Sequence, residues 1–202
     1  MILLGQNLKT LQNQCDGGKF SIKTVSLLGL QILRRIEAIH NKGFVHRDLK
    51  PENIVMGGNP NDERTAYLID FGLSEKFRDS KGKHLPFQKN QKMAGTLYYL
   101  STYGHQGIRA SRRDDLISLG YLLVHFLKGE LPWKELSGNK QEKLMQLFHM
   151  KSVINNDILC KGLPTEFSEY MSYVLGLKFN QTPDYEFMKG LFKKLLEKLG
   201  TG

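Results

Sequence analysis

The sequence predicts a mainly α-helical fold with a minor β component (α+β), in one domain over residues 1–202. Three observations favour this class. Apolar residues recur at spacings of three and four in several long segments, as in amphipathic helices. Two short β-type runs flank a loop that is rich in Gly, Asn and Pro. The chain length suits one ordinary domain that can bury a substantial core.

The first long helix is predicted over residues 21–42. Ser21 is a plausible N-cap, and Gly43 stands where a left-handed residue can end a helix. The buried stripe of this helix is predicted to consist of Val25, Leu28, Ile32, Ile36 and Ile39. The helix therefore delivers the chain directly into the polar segment that follows it.

Two short strands are predicted next, over residues 54–56 and 67–69. The residues between them are rich in Gly, Asn and Pro, which favour turns. Because Pro51 lacks an N–H group and cannot continue a helix, the segment before the first strand is predicted to be a loop. A small hairpin beside this loop would bring Asp48 and Asp70 close together.

The second half of the chain is predicted to be helical after an irregular stretch at residues 74–103. An irregular segment of this length inside a domain is usually functional. The predicted helices are one that ends at Gly129, one over residues 141–150, one capped by Thr165 and one capped by Asp184. Their Met and aromatic stripes are expected to belong to the core.

Composition and charge limit the function classes. Hydrophobic residues make up 40% of the chain, and the formal net charge is +9. This charge favours acidic or phosphorylated partners, and no motif of a nucleic-acid reader is present, so we expect no nucleic acid. The apolar stretches are too short to span a bilayer, and no signal peptide is recognisable. The two distant cysteines, Cys15 and Cys160, indicate an intracellular protein of the cytoplasm or nucleus.

The main candidate site is formed by two runs. They are His46-Arg47-Asp48-Leu49-Lys50-Pro51-Glu52-Asn53 and Ile69-Asp70-Phe71-Gly72-Leu73. Acids, a lysine and an amide in this order suit phosphoryl transfer, which needs positioning and charge neutralisation. Asp48 would accept or orient the proton of a substrate hydroxyl, and Lys50 would reach the transferred phosphate. Asn53 and Asp70 offer hard oxygens that suit Mg²⁺.

Further candidates carry two interpretations each. Thr96 could link a substrate-binding loop to Asp48, or could be a loop threonine that bonds its own backbone. Asp115 could accept N–H groups of the catalytic loop, or could be an ordinary acid at a helix N-terminus. We interpret Arg47 and His46 as structural residues of the loop rather than as acids or bases.

These two runs resemble the catalytic loop and the metal-binding triplet of protein kinases. Over almost its full length the chain also resembles the casein kinase I family. The resemblance is found in residues 1–5, 44–48, 69–73, 111–116, 118–121, 131–133, 160–162 and 183–185. This resemblance implies a protein-kinase-like C-terminal lobe from the hinge onward, ATP with Mg²⁺, phosphorylation of Ser or Thr in acidic or phosphorylated proteins, and action as a monomer.

The resemblance also implies a nucleotide pocket. Ile2 and Leu4 fall in the hinge that would hydrogen-bond adenine. Val55 would form the floor of this pocket and Ile69 its back, beside Asp70. These five residues are the expected nucleotide-binding set.

The chain departs from the casein kinase I family at several positions between residues 75 and 98. Gln88, Gln91 and Tyr98 occupy positions where the family carries basic residues, and Glu75 replaces a lysine. Lys143 is expected to keep one charge of an anion site. We therefore expect acidic substrates, and the departures weaken the expectation that a primed phosphate is recognised.

A second departure concerns the small lobe. The sequence holds no Gly-x-Gly-x-x-Gly loop and no strand lysine or helix glutamate ahead of the hinge. We therefore expect a truncated kinase domain without an N-terminal lobe, and a rate lowered by several orders of magnitude. Two functions stay open, a casein kinase I-type enzyme and an inactive module that binds substrates or partners. In either case we expect an exposed apolar floor around Val55 and self-association.

Overall fold

Helices form about half of the structure, as the hydrophobic periodicity predicts. The computed structural model describes residues 4–200. The helices are α1 (Leu8–Asn13), α2 (Ile22–Asn41), α3 (Thr102–His105), α4 (Arg112–Lys128), α5 (Lys140–Val153), α6 (Asn156–Leu159), α7 (Thr165–Leu175) and α8 (Tyr185–Lys198). The strands are β1 (Leu4–Asn7), β2 (Phe44–Val45), β3 (Ile54–Gly57), β4 (Ala66–Leu68) and β5 (Glu75–Lys76). The predicted class, mainly α with minor β, is confirmed.

The strands form two small antiparallel sheets. The first has the order β1-β3-β4, with Val55 opposite Asn7 on one side and Tyr67 on the other. The second pairs β2 with β5, so that Val45 lies opposite Glu75. The predicted hairpin of β3 and β4 is confirmed. Strands β1 and β5 were not predicted, because such short strands exist only through their partners.

Helix α2 begins and ends where its capping residues predict. The Ser21 hydroxyl accepts a hydrogen bond from the Thr24 amide at 3.1 Å. Gly43 has a φ of +83°, which permits the left-handed turn after the helix. The helix packs against α4 and α8 through its apolar stripe. It therefore carries the chain into β2 and the catalytic loop from a rigid support.

Helix α4 is the centre of the core. Ser111 and Asp114 form a reciprocal capping box at its start, with the Ser111 amide 2.8 Å from Asp114 Oδ2. Most of its residues are buried between α2 and α7. Gly129 ends the helix with a φ of +80°, as predicted. The first turn of this helix therefore holds its acidic residues inside the protein.

Three details differ from the sequence prediction. Pro164 is the N-cap of α7, and Thr165 is its first helical residue. Helix α5 extends beyond the predicted range on both sides, and Asn139 caps its N-terminal end. Phe187 belongs to the aromatic stripe of α8 that is expected in the core, but it is 42% exposed and packs against Tyr173 with ring centroids 5.0 Å apart.

Two further properties of the described residues concern membrane helices and cysteines. Within residues 4–200, no helix combines the length and apolar character that a bilayer crossing requires. Cys15 and Cys160 are both free thiols.

Two histidines with lowered pKa values should make stability depend on pH. Burial is the main reason that the pKa values of His105 and His125 fall from 6.5 to about 4. Between these values the unfolded chain binds protons that the folded chain does not, so stability decreases as the pH falls from 6.5 towards 4. Each histidine should contribute up to about 1.4 kcal/mol per pH unit to the free energy of unfolding.

Urea unfolding at pH 7.5, 6.5 and 5.5 measures this dependence. The substitution His125→Gln should make the slope shallower, whereas His149→Gln, at an exposed position, should leave it unchanged. A free energy of unfolding that stays constant over this range would contradict the prediction.

Candidate active site

The catalytic loop, residues 46–53, is anchored by one buried carboxylate. Asp115 on the first turn of α4 is 2% exposed. Its two oxygens accept the backbone amides of His46 at 2.7 Å and Arg47 at 2.8 Å. The same carboxylate lies 2.9 Å from Nε2 of His40, which carries the proton because the carboxylate only accepts. The first interpretation of Asp115, an acceptor for the catalytic loop, is therefore the right one.

The Asp115 carboxylate is ionised in the folded protein. Complete burial by itself would raise its pKa. The hydrogen bond and charge of His40, together with the loop amide of His46, outweigh burial and lower the pKa below the ordinary value. The Asp115 carboxylate is charged and accepts hydrogen bonds from three groups, and so it fixes the loop that follows β2.

The loop backbone is bent sharply on both sides of the site. Arg47 and Asp70 have φ values of +71° and +62°, in the left-handed region that residues with side chains rarely adopt. Gly95 packs over the bend, and a Cβ atom there would lie 2.2 Å from the carbonyl oxygen of Arg47. His46 is buried and donates from Nε2 to the Ile69 carbonyl at 3.1 Å, which agrees with a structural role.

Asp48 stands at the centre of a hydrogen-bond network. Its Oδ1 accepts the amide of Thr96 at 2.8 Å and the hydroxyl of Thr96 at 2.7 Å. Its Oδ2 accepts Nζ of Lys50 at 2.8 Å and Nδ2 of Asn53 at 3.2 Å. The structure therefore brings three of the predicted site residues onto one carboxylate, and Thr96 bonds to Asp48 rather than to its own backbone.

This network sets the charge of the site. Burial by itself would raise the pKa of Asp48, but the hydrogen bonds of Lys50 and Thr96 together lower it below its ordinary value. The hydrogen bond to Asp48 raises the pKa of Lys50. At neutral pH the pair is therefore a carboxylate beside an ammonium group, and the ammonium keeps part of its surface accessible.

A backbone hydrogen bond links the segments that carry Asn53 and Asp70. The Ile69 amide donates to the Asn53 carbonyl at 3.0 Å, which places Asp70 one residue further on. Nδ2 of Asn53 also donates to the backbone oxygen of Asp48 at 2.9 Å, so its amide oxygen is left for a cation. In residues 4–200 no group of three His, Cys, Asp or Glu residues could hold a metal. One carboxylate and one amide fit Mg²⁺ only when phosphate oxygens complete its ligands.

A basic cleft of about 770 Å³ opens beside Asp48. Lys50, Asn53 and Thr96, which all bond to Asp48, are part of its lining. Tyr98, Tyr99 and His125 line it as well, together with Lys9, Glu52, Gly129 and Lys134. Three lysines against one glutamate make this cleft suitable for a negatively charged chain segment.

The structure places the remaining predicted residues as follows. Lys143 is exposed on the first turn of α5 and does not line the cleft beside Asp48. Leu4 lies on β1 and is 41% exposed, and Ile69 is half-buried. Val55 is only 6% exposed, so the open apolar floor that we expected there is not present. Ile2 lies outside the described residues.

One contact of the loop was missed by sequence reasoning. Arg47 forms an ion pair with Glu75 of β5, across the β2–β5 ladder. Glu75 and Gln91 line the same cavity as Arg47. The sequence showed that Glu75 stands where the casein kinase I family, which the chain resembles, carries a lysine. It did not show the partner of Glu75, because β5 was not predicted. The carboxylate of Glu75, from the same chain, therefore neutralises the arginine that precedes Asp48.

The ion pair of Arg47 with Glu75 leads to a prediction about anions. In Glu75→Lys, two cations would face each other, and we expect stability to fall by about 1 kcal/mol, since exposed pairs contribute little. Sulfate or phosphate should bind between the two cations and recover the lost stability of Glu75→Lys. The same anions should stabilise the wild type less. Thermal unfolding in sodium sulfate and in sodium chloride of equal ionic strength measures the difference. Equal stabilisation of both proteins would contradict it.

A comparison with protein families agrees with this geometry. The family model described as protein kinase domain matches residues 2–198, which is nearly the whole chain. Members of this family are transferases that generally use ATP and Mg²⁺. The network around Asp48 is compatible with such a transfer, in which positioning and charge neutralisation matter most. The chain therefore belongs to the protein kinase family.

Proposed function

We propose that this protein is a serine/threonine kinase of the casein kinase I type. It transfers the γ-phosphate of ATP, with Mg²⁺, to Ser or Thr residues of acidic protein substrates. The observation that carries this proposal is the carboxylate of Asp48, held by Thr96 on one oxygen and by Lys50 and Asn53 on the other.

Asp48 would bind the substrate hydroxyl and receive its proton. Its lowered pKa keeps the carboxylate ionised at neutral pH, so it is ready to accept a hydrogen bond. The bonds from Lys50 and Thr96 also make it a weak base, which suits orientation of the hydroxyl more than early removal of its proton. Lys50 would neutralise charge on the transferred phosphate.

Asn53 and Asp70 would hold the metal. When bound, Mg·ATP supplies the phosphoryl group and neutralises the charge of its phosphates. Both residues offer oxygen ligands, and the backbone bond between Ile69 and Asn53 keeps them together. Leu4, Val55 and Ile69 remain the proposed nucleotide-binding positions, together with Ile2.

The proposed substrate preference rests on charge. Lys9, Lys50 and Lys134 line the cleft at Asp48, and the net charge of the chain is +9. These features support acidic segments around the phosphorylated residue. Because Glu75 already neutralises Arg47, we propose no primed-phosphate site at that arginine. Lys143 remains a proposed anion contact at the surface.

The setting of the enzyme is proposed with the same function. Residues 1–202 would form a protein-kinase-like C-terminal lobe from the hinge onward. The enzyme would act as a monomer within the cell, in the cytoplasm or nucleus. The two free thiols are compatible with a reducing compartment.

The test is a transfer assay with matched peptides. The purified chain is incubated with labelled Mg·ATP and a peptide that carries one serine among acidic residues. We expect transfer to this peptide and to its Ser→Thr variant, weaker transfer when the acids are replaced by lysines, and none to the Ser→Tyr variant or without Mg²⁺. Binding of the acidic peptide without any transfer would favour the binding module instead, and transfer to tyrosine would contradict the proposed class.

A further inference from the structure

Lys151 is a buried lysine that the proposed mechanism has not yet used. It lies in the last turn of α5 and is 5% exposed. Among residues 4–200, no carboxylate lies within ion-pair distance of its ammonium group. Burial lowers the pKa of Lys151 well below its ordinary value. A lysine in such a place is costly unless its hydrogens are bound elsewhere.

All three hydrogen directions of this lysine are occupied. Nζ donates to the carbonyl of Leu97 at 2.7 Å and to the carbonyl of Leu100 at 2.8 Å. It also lies 3.3 Å from Nε2 of His105. The rings of Trp133 and Tyr121 flank it, with centroids 5.1 and 5.3 Å away. Lys151 is therefore held in one position, and it holds two backbone carbonyls in turn.

Those carbonyls belong to a short turn, residues 96–100, that is fixed by side chains. The amides of Tyr99 and Leu100 both donate to the Thr96 carbonyl at 3.0 Å. Nε1 of Trp133 donates to the Tyr98 carbonyl at 2.9 Å. Side chains from elsewhere in the fold therefore bind three carbonyl oxygens of the turn, those of Leu97, Tyr98 and Leu100.

The other end of this turn reaches the catalytic carboxylate. Thr96 gives both its amide and its hydroxyl to Oδ1 of Asp48, at 2.8 and 2.7 Å. Any movement of the turn would therefore change two of the four hydrogen bonds that orient Asp48. A displacement of about 1 Å at a catalytic group can reduce a rate about 100-fold.

We propose that Lys151 is a positioning residue for phosphoryl transfer, which fixes the 96–100 turn and so holds Thr96 on the carboxylate of Asp48. This inference rests on the proposed kinase function and adds a residue that touches neither substrate nor nucleotide. This role differs from that of an ordinary core residue, because a substitution of Lys151 should change catalysis through the position of Thr96.

The first test needs no catalysis. Amide hydrogen exchange is compared in the wild type, in Lys151→Met, which keeps the length but has no donor, and in Lys151→Gln, which keeps an N–H donor. We expect the amides of Thr96 and Leu100 to exchange at least 10-fold faster in Lys151→Met and less so in Lys151→Gln. The amides of α2 should stay protected, which shows that the variant is folded.

Lys189 provides a matched control. It is a buried lysine on α8 that pairs with Glu37 at 2.8 Å and also with Glu186, away from the 96–100 turn. Lys189→Met should lower stability without changing exchange at Thr96. If Lys151→Met does not fold, the comparison of Lys151→Gln with the wild type decides. Unchanged exchange at Thr96 in a folded Lys151 variant would overturn the proposal.

The second test is a kinetic double-mutant cycle with Thr96→Ala. We expect Lys151→Met and Thr96→Ala each to lower kcat about 10- to 100-fold, with KM for ATP changed less than about twofold. The double variant should be no slower than the slower single variant, because both changes remove the same support of Asp48. Effects that multiply, as we expect for Lys189→Met with Thr96→Ala, would overturn the positioning role.

The two tests separate this inference from the proposed function. A wild-type chain that transfers no phosphate to any peptide would contradict the kinase proposal, and with it a role of Lys151 in catalysis. A wild type that is active, with independent effects of Lys151 and Thr96, would contradict only the inference about Lys151.

Discussion

Replacement of Asp48 by asparagine is expected to lower kcat by about 10²- to 10⁴-fold, the range for loss of a general base. Asparagine has nearly the same size and can still accept the hydrogen bonds of Thr96, but it cannot receive the proton of the substrate hydroxyl. It also leaves the ammonium of Lys50 without its anionic partner. The change therefore acts on the chemical step more than on substrate binding, so KM for the peptide should change little.

Initial rates with the acidic serine peptide, over a range of peptide concentrations, measure this effect. Asp16→Asn, at an exposed position outside the site, is the matched control and should behave as the wild type. Far-UV circular dichroism and thermal unfolding establish that both variants are folded. An Asp48→Asn protein that keeps more than about a tenth of the wild-type kcat would exclude the role assigned to this carboxylate.

Replacement of Asp115 by alanine should cause the largest loss of stability, about 3–5 kcal/mol. The substitution leaves the amides of His46 and Arg47 and Nε2 of His40 without their acceptor, all in the protein interior. Each buried donor that loses its partner costs about 1–3 kcal/mol. The catalytic loop would lose the anchor that sets its bend, so activity should fall as well.

Urea unfolding at pH 7 measures this loss. Asp184→Ala is a suitable comparison, because Asp184 caps α8 with a single bond to the Phe187 amide at 2.9 Å; it should cost about 1 kcal/mol. The pKa of Asp115 is lowered on folding, so its stabilisation is present above the ordinary carboxylate pKa and disappears as the pH falls through the lowered one. Equal costs for the two variants at pH 7 would show that Asp115 is no special anchor.

Local sequence patterns predicted the elements that depend on neighbours along the chain. The helix from Ser21 to Gly43 follows from its apolar spacing and from its two capping residues. The hairpin of β3 and β4 follows from two β-type runs and a turn-rich connection. These features could be predicted because residues within one turn or one hairpin determine them.

Elements that depend on distant partners were missed. Strand β5 contains only Glu75 and Lys76, and it exists because β2 lies beside it. The ion pair of Arg47 and the buried position of Lys151 likewise depend on segments that meet only in the folded chain. Such contacts leave no periodic pattern in the sequence. The sequence around Lys151 therefore did not predict that this side chain binds two backbone carbonyls.

By itself, the sequence pointed to the chemistry that we propose for this protein. Asp48, Lys50 and Asn53 lie within one short loop, and their types and order point to phosphoryl transfer wherever the loop is placed. The tertiary structure decided between the two interpretations of Thr96 and Asp115. Each lies dozens of residues from the loop in sequence yet binds it directly. Packing of α2 against α4 brings Asp115 to the loop. Thr96 reaches it from the 96–100 turn, whose carbonyls are bound by Lys151 and Trp133.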